Sequence, residues 1–126
     1  AGYLTDWPGP VEDERPSAYI IILGDTEIAK SFGCDYGIAA QTIMLAATEQ
    51  ELGGCIIASI DHDRLRKGLG IPSRFEILLA LALGKPKEKV VLEHVDSGDD
   101  IKYWRDADQV HHVPKRSLES IILHLK

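Results

Sequence analysis

Three stretches of this 126-residue chain have residue types and spacings that could do chemistry. The first runs from Gly53 to Asp61 (GGCIIASID). Paired glycines, then small Ala58 and Ser59 ahead of a helix capped by Asp61, would let a flat ligand lie against the backbone, with amide groups donating to its polar ring atoms. The same residues also read as a glycine-stopped helix feeding a buried strand. The second is Lys115-Arg116 after Val113-Pro114, where a proline-stiffened approach would aim a pair of cations, and arginine can grip phosphate in bidentate fashion. It reads equally as a basic pair at the start of an exposed segment. The third, Lys85-Pro86-Lys87-Glu88-Lys89, has mixed charge in a proline-containing loop and reads as solvated surface.

The remaining reactive types form no constellation. His111 and His112 are adjacent, so on a strand their side chains diverge and cannot easily chelate one ion; we expect them to be structural. In Asp61-His62-Asp63 the first residue is needed as a cap. Cys55 falls in a strand expected to be buried, where an apolar setting raises a thiol pKa and makes it inert. Ser59 lacks the G-x-S-x-G surroundings of a nucleophile elbow. With no hydrolytic triad, no catalytic carboxylate pair and no zinc spacing, we assign no catalytic and no metal-binding residue. An enzyme of this sequence would depend on a cofactor for its reactive atoms.

Composition bounds the setting of these residues. Lys plus Arg number 14 against 20 Asp plus Glu, a formal charge of -6, which argues against nucleic acid as the main partner. Hydrophobic residues at 44% and charged residues at 27% describe an ordinary folded domain and exclude a disordered one. No apolar run approaches the roughly 18–20 residues of a membrane span. Only Cys34 and Cys55 are present, too few for a disulfide framework, and they point to a reduced, cytoplasmic setting. The chain opens Ala1-Gly2-Tyr3 without an initiator Met, so either a leader has been removed or this is the C-terminal part of a longer protein, and we expect the second.

The elements that must hold these residues can be read in order. Residues 1–17, with Pro8, Pro10 and Pro16, form an extended connector. Ala18–Leu23 is a β-branched run expected to be a strand buried on both faces. Asp35 is expected to cap a long helix through Leu52, with Ala40, Ile43, Met44 and Ala47 on one stripe and Gly53-Gly54 as its stop. Cys55–Ile60 would be a second buried strand, and Asp61 would cap a short helix ending at Gly68 or Gly70. Phe75–Leu83 suits a strand or a helix by composition; its place between Pro72 and Gly84-Lys85-Pro86 favours a strand. Residues 87–109 read as charged and irregular, with an extended piece at Val90–Val95. Ser117–Leu125 has a helix-like but ambiguous alternation. Strand, helix, strand, helix, strand indicates a layered arrangement of the α/β or α+β kind. The long helix is apolar around much of its circumference, so something outside this chain is expected to cover part of it.

The order and the motifs together resemble the FMN-dependent nitroreductase family. The helix DYGIAAQTIMLAATEQELGG matches a D-x-G-x-A-x-Q-x-x-x-L-x-A pattern at Asp35, Gly37, Ala39, Gln41, Leu45 and Ala47. Gly53–Asp61 is similar to that family's G-x-C-W-I-G-S-F-D-like strand, Gly68–Pro72 to its L-L-G-I-P, Gly84-Lys85-Pro86 to its G-Y-P or G-K-P, and VPKRSLESIIL to its closing basic pair. The resemblance covers 18–126 and implies the C-terminal portion of an α+β domain, a mixed sheet flanked by helices, incomplete at its N-terminus. It implies a homodimer with FMN at the subunit interface, and hydride passing from NAD(P)H through the flavin to a nitro, quinone or similar acceptor. Carried over by position, Ile56, Ala58 and Ser59 would lie against the flavin ring through backbone groups, and Lys115 and Arg116 would reach the FMN phosphate. Ile56 stands where the family commonly has Trp, Ala58 where several members have Gly or Glu, and the family's basic N-terminal segment does not occur in these residues. The competing readings are a flavin-binding or dimerisation module without turnover, and a fragment that lacks activity.

Overall fold

The run FEILLALAL, bracketed by Pro72 and Gly84, becomes the central strand of the larger of two compact units. The computed structural model describes residues 3–4, 8–96, 98 and 100–123. It divides into Glu14–Pro86 on one hand and Ala1–Asp13 with Lys87–Lys126 on the other. In the first unit the elements are β1 (Ala18–Asp25), α1 (Asp35–Glu49), β2 (Gly53–Ile57), α2 (His62–Leu69) and β3 (Phe75–Gly84). The strands form a three-stranded sheet in the order β1-β3-β2, each outer strand antiparallel to β3.

Register explains the packing. Ile20 and Ile56 both oppose Leu81, and Ile22 opposes Leu79, so these residues share one sheet face. That face receives α1: Ala40, Leu79 and Leu81 form a buried cluster, with Ile22, Tyr36 and Ile43 packed against it. Tyr36, Ala40, Ile43 and Ala47 follow the helical stripe, and the small side chains of fully buried Ala40 and nearly buried Ala47 let the helix come close. The outward side of α1 keeps Ile38 and Leu45 exposed, at 62% and 63%.

Several expectations change here for identifiable reasons. Although apolar throughout, β1 is not buried on both faces: it is an edge strand, and Tyr19 is 59% exposed. The helix starts one residue after Cys34, whose side chain makes no cap bond, so Asp35 is a first-turn acid and not the cap. It ends at Glu49, before Leu52. Glu51 takes the left-handed conformation (φ 59°), its N–H bonds to the Thr48 carbonyl, and the Leu52 N–H reaches back to the Ala47 carbonyl. Gly53 and Gly54 therefore do not stop the helix; they open β2, which covers Gly53–Ile57 in place of 55–60. A Cβ on Gly53 would lie 2.9 Å from Pro86 Cγ, and one on Gly54 would lie 2.7 Å from the Ala82 carbonyl oxygen. The glycines are there for close approach.

The α2 segment behaves as read. The Asp61 carboxylate accepts the Arg64 N–H at 3.0 Å, and Gly70 closes the helix in the left-handed conformation (φ 64°). Arg66 then fixes the path into β3: its guanidinium donates to the carbonyls of Ile71 (3.3 Å), Pro72 (2.9 Å) and Phe75 (2.8 Å). Arg74 pairs with Asp25 and Glu27 across the far end of β1 and β3.

The second unit contains β4 (Val90–Val95), β5 (Trp104–Arg105), β6 (His111–Arg116) and α3 (Leu118–Ile121). β6 is central, parallel to β4 and antiparallel to β5. Residues 87–109 are thus more regular than expected, and His111–Arg116 is a strand and not merely the approach to a helix. Its Pro114 lies past the end of two-residue β5, where among the described residues no strand pairs with that flank of β6 and a missing N–H is tolerated. The terminal helix is short, capped by the Ser117 hydroxyl accepting the Ser120 N–H at 3.2 Å. The expected helix-like segment ran to Leu125, which lies outside the described residues. Within the expected connector, Glu12–Glu14 form one 3-10 turn. Among the described residues no helix is long and apolar enough to cross a membrane.

Candidate functional site

Beyond Ile57 the chain leaves the sheet and folds through Ala58, Ser59 and Ile60. The Ile60 N–H donates to the Ala58 carbonyl at 3.0 Å, a tight turn centred on Ser59. Ser59 is not among the residues with positive φ, so this is the relaxed, inverse form of that turn. The bond leaves the Ala58 and Ser59 N–H groups outside it, and both residues are exposed. Ile56, one step earlier on the edge strand, is 42% exposed. The turn is open: nothing in its own unit closes over these small side chains.

Immediately after the turn, Ile60, Asp61, Arg64, Leu65, Gly68 and Leu69 line a hollow of ≈ 420 Å³. Its walls are apolar apart from Arg64 and the capping carboxylate, so the open turn continues into an apolar surface on α2.

Lys115 and Arg116 end β6 in the other unit, exposed and successive on the strand, so their side chains alternate between its faces. Ile56, Ala58 and Ser59 belong to the first unit and the basic pair to the second; each group is placed by its own sheet.

Cys55 departs from expectation: it is exposed, because β2 is an edge strand with little cover; Cys34, just before α1, is exposed as well. Among the described residues no group of three or more His, Cys, Asp or Glu side chains is arranged to hold a metal ion.

A polar cluster that the sequence reading passed over joins β4, β5, the turn after it and β6. His112 Nδ1 is 2.6 Å from Glu93 Oε1 and its Nε2 is 3.1 Å from Asp106 Oδ2. The Trp104 ring stacks on the imidazole, with centroids 4.9 Å apart and planes 5° from parallel. Hydrogen bonds donated to Glu93 and then Asp106 hold the His112 pKa above the ordinary histidine value, against partial desolvation. Asp106 is held below the usual carboxylate range, first by His112 and then by the Val110 N–H. The divergence of His111 and His112 was legible from their adjacency. Of their partners Asp106 is six residues from His112, whereas Glu93 is 19 residues from His112 and Glu88 is 23 residues from His111, and no local spacing announces those two.

Comparison with known proteins gives this arrangement a family. The nitroreductase family model matches residues 17–85, the strands and helices that carry the open turn. That is more than half of the chain, and the chain belongs to the nitroreductase family. Among solved structures, it is similar to an FMN-dependent nitroreductase from Clostridium difficile R20291, at 28% identity and a TM-score of 0.52 over 56% of this chain and 46% of that one. It is also similar to a nitroreductase family protein from Clostridium novyi NT, at 28% identity and a TM-score of 0.49 over 55% of this chain and 43% of that one. The chain spans less than half the length of either structure. Among curated proteins nothing matches it.

Proposed function

We propose that this chain is part of an FMN-dependent oxidoreductase that takes hydride from NAD(P)H and reduces a nitro compound, quinone or similar acceptor. The observation that carries the reading is the open Ala58–Ser59 turn, lying inside the segment 17–85 that matches the family. Small exposed side chains and peptide N–H groups outside the turn's own bond fit a flat, polar-edged ring system. Bound there, FMN would supply the hydride-accepting centre. Ile56, Ala58 and Ser59 would support and orient the ring through backbone groups, and exposed Lys115 and Arg116 would neutralise its phosphate. No side chain of this segment is asked to act as acid or base. The exposed Ile38 and Leu45 on α1 support a homodimer whose second copy covers that helix.

The test uses protein expressed from its complete reading frame. Bound flavin that is released as FMN, and NAD(P)H consumption that rises with added nitroaromatic or quinone, are the expected results. Flavin held without turnover would favour a binding module over an enzyme. Protein that neither carries nor takes up FMN would overturn both readings.

A further inference from the structure

The His112 cluster lies outside the family-matched segment and plays no part in the proposed reaction. A neutral imidazole has one N–H and one bare lone pair. Here both ring nitrogens face carboxylate oxygens at hydrogen-bond distance, so a neutral ring would set its lone pair against a negative oxygen. Only the doubly protonated ring satisfies both contacts, and the Trp104 face stacked on it favours the cation further.

Asp106 is also the keystone of the turn that joins β5 to β6. Its Oδ1 accepts the N–H groups of Asp108 and Val110, both at 2.9 Å. Its own N–H reaches the Val110 carbonyl and its carbonyl receives the Gln109 N–H, both at 3.1 Å, while Gln109 holds a φ of 62°. Opposite this carboxylate, Glu93 comes from β4 and makes the shorter contact. The other charged groups on these elements are engaged elsewhere: Glu88, preceding β4, meets Arg105 of β5 and His111 of β6; His94 meets Asp96; Lys115 and Arg116 lie further along β6.

We propose that His112 is a pH-operated latch on the β5–β6 turn: protonated, it clamps Glu93 to Asp106, and on losing its proton it keeps Glu93 and releases Asp106. The shorter Nδ1 contact decides which partner stays, since the remaining N–H goes to Glu93 and the bare Nε2 then repels Asp106. Because its folded-state pKa is raised, the latch contributes fully below the ordinary histidine range and is lost as pH rises through the raised value. Asp106, held low, keeps its charge until the solution is more acidic than the usual carboxylate range.

The test follows histidine ring NMR signals and amide exchange, corrected for intrinsic base catalysis, across a pH series in protein from the complete reading frame. His112 should titrate above the ordinary histidine value, and the Val110 amide should lose protection over the same pH interval. Glu93→Gln should shift the His112 midpoint downward. Asp106→Asn should shift it downward too and keep Val110 protected at alkaline pH, because the Asn amide donates to the bare Nε2. A His112 that titrates at or below the ordinary histidine value, or a Val110 amide whose corrected exchange ignores pH in the unmodified protein, would overturn the latch. Both readings hold whether or not the protein proves to be a flavoenzyme, and neither requires a variant to fold.

Discussion

Gly54 of β2 lies directly under Met44 of α1: a Cβ at position 54 would stand 3.0 Å from Met44 Cε, as well as 2.7 Å from the Ala82 carbonyl oxygen and Leu83 Cδ2. Met44 can turn aside, but the carbonyl belongs to the central strand and cannot. The seam between helix and sheet, which fixes where the chain emerges toward Ala58, therefore depends on a missing side chain.

Gly54→Ala should destabilise the first unit by about 1–3 kcal/mol, the usual range for overpacking a close contact. Urea denaturation of the two proteins would show it as a lower midpoint with an unchanged slope. An unchanged midpoint would mean that the seam is looser than described.

Glu51→Gly should act in the opposite direction. A left-handed residue with a Cβ is strained by roughly 1–2 kcal/mol, of which the greater unfolded-state freedom of glycine returns about 0.4–1 kcal/mol. The expected net gain is about 0.5–1 kcal/mol in the same denaturation experiment, because Glu51 occupies the position after the helix cap that glycine fills most easily. A loss of stability would show that the Glu51 side chain makes a compensating contact.

The outward face of α1 carries the assembly reading. Replacing both Ile38 and Leu45 by Glu puts charge into the face proposed to meet the second copy, and should convert a dimer to monomers in light scattering. The α1 helix itself should survive, since both residues are exposed. A double variant that stays dimeric would place the subunit contact elsewhere.

Much of the first unit was legible because its signals are local. Pro72 and Gly84 bracket β3, Asp61 caps α2 through an N–H three residues away, and the alanine stripe of α1 has helical spacing. What failed was burial. The β-branched run of β1 describes residues that prefer a strand, yet whether both faces are covered depends on which strands and helices lie beside it, and β1 lies at an edge. Gly53-Gly54 resembled a stop because glycine ends helices so often; the reason for them here, Pro86 and Ala82, arrives from about thirty residues downstream. In the second unit β6 takes its partners from both β4 and β5, and Glu93 reaches His112 from 19 residues upstream, so neither the strand nor that contact had a nearby marker. Of the five residues proposed for FMN, each can be placed on its own element, and their use rests on the family likeness.

The most direct test of the account is FMN affinity, read by quenching of flavin fluorescence, in protein from the complete reading frame and in its Ser59→Pro variant. Proline suits the negative φ at the centre of this turn but removes the Ser59 N–H, so the fold should be retained, as circular dichroism would verify. If the turn seats the flavin ring through its amides, affinity should fall roughly tenfold, about 1.4 kcal/mol. Equal FMN affinity in the two proteins would contradict the proposed seat.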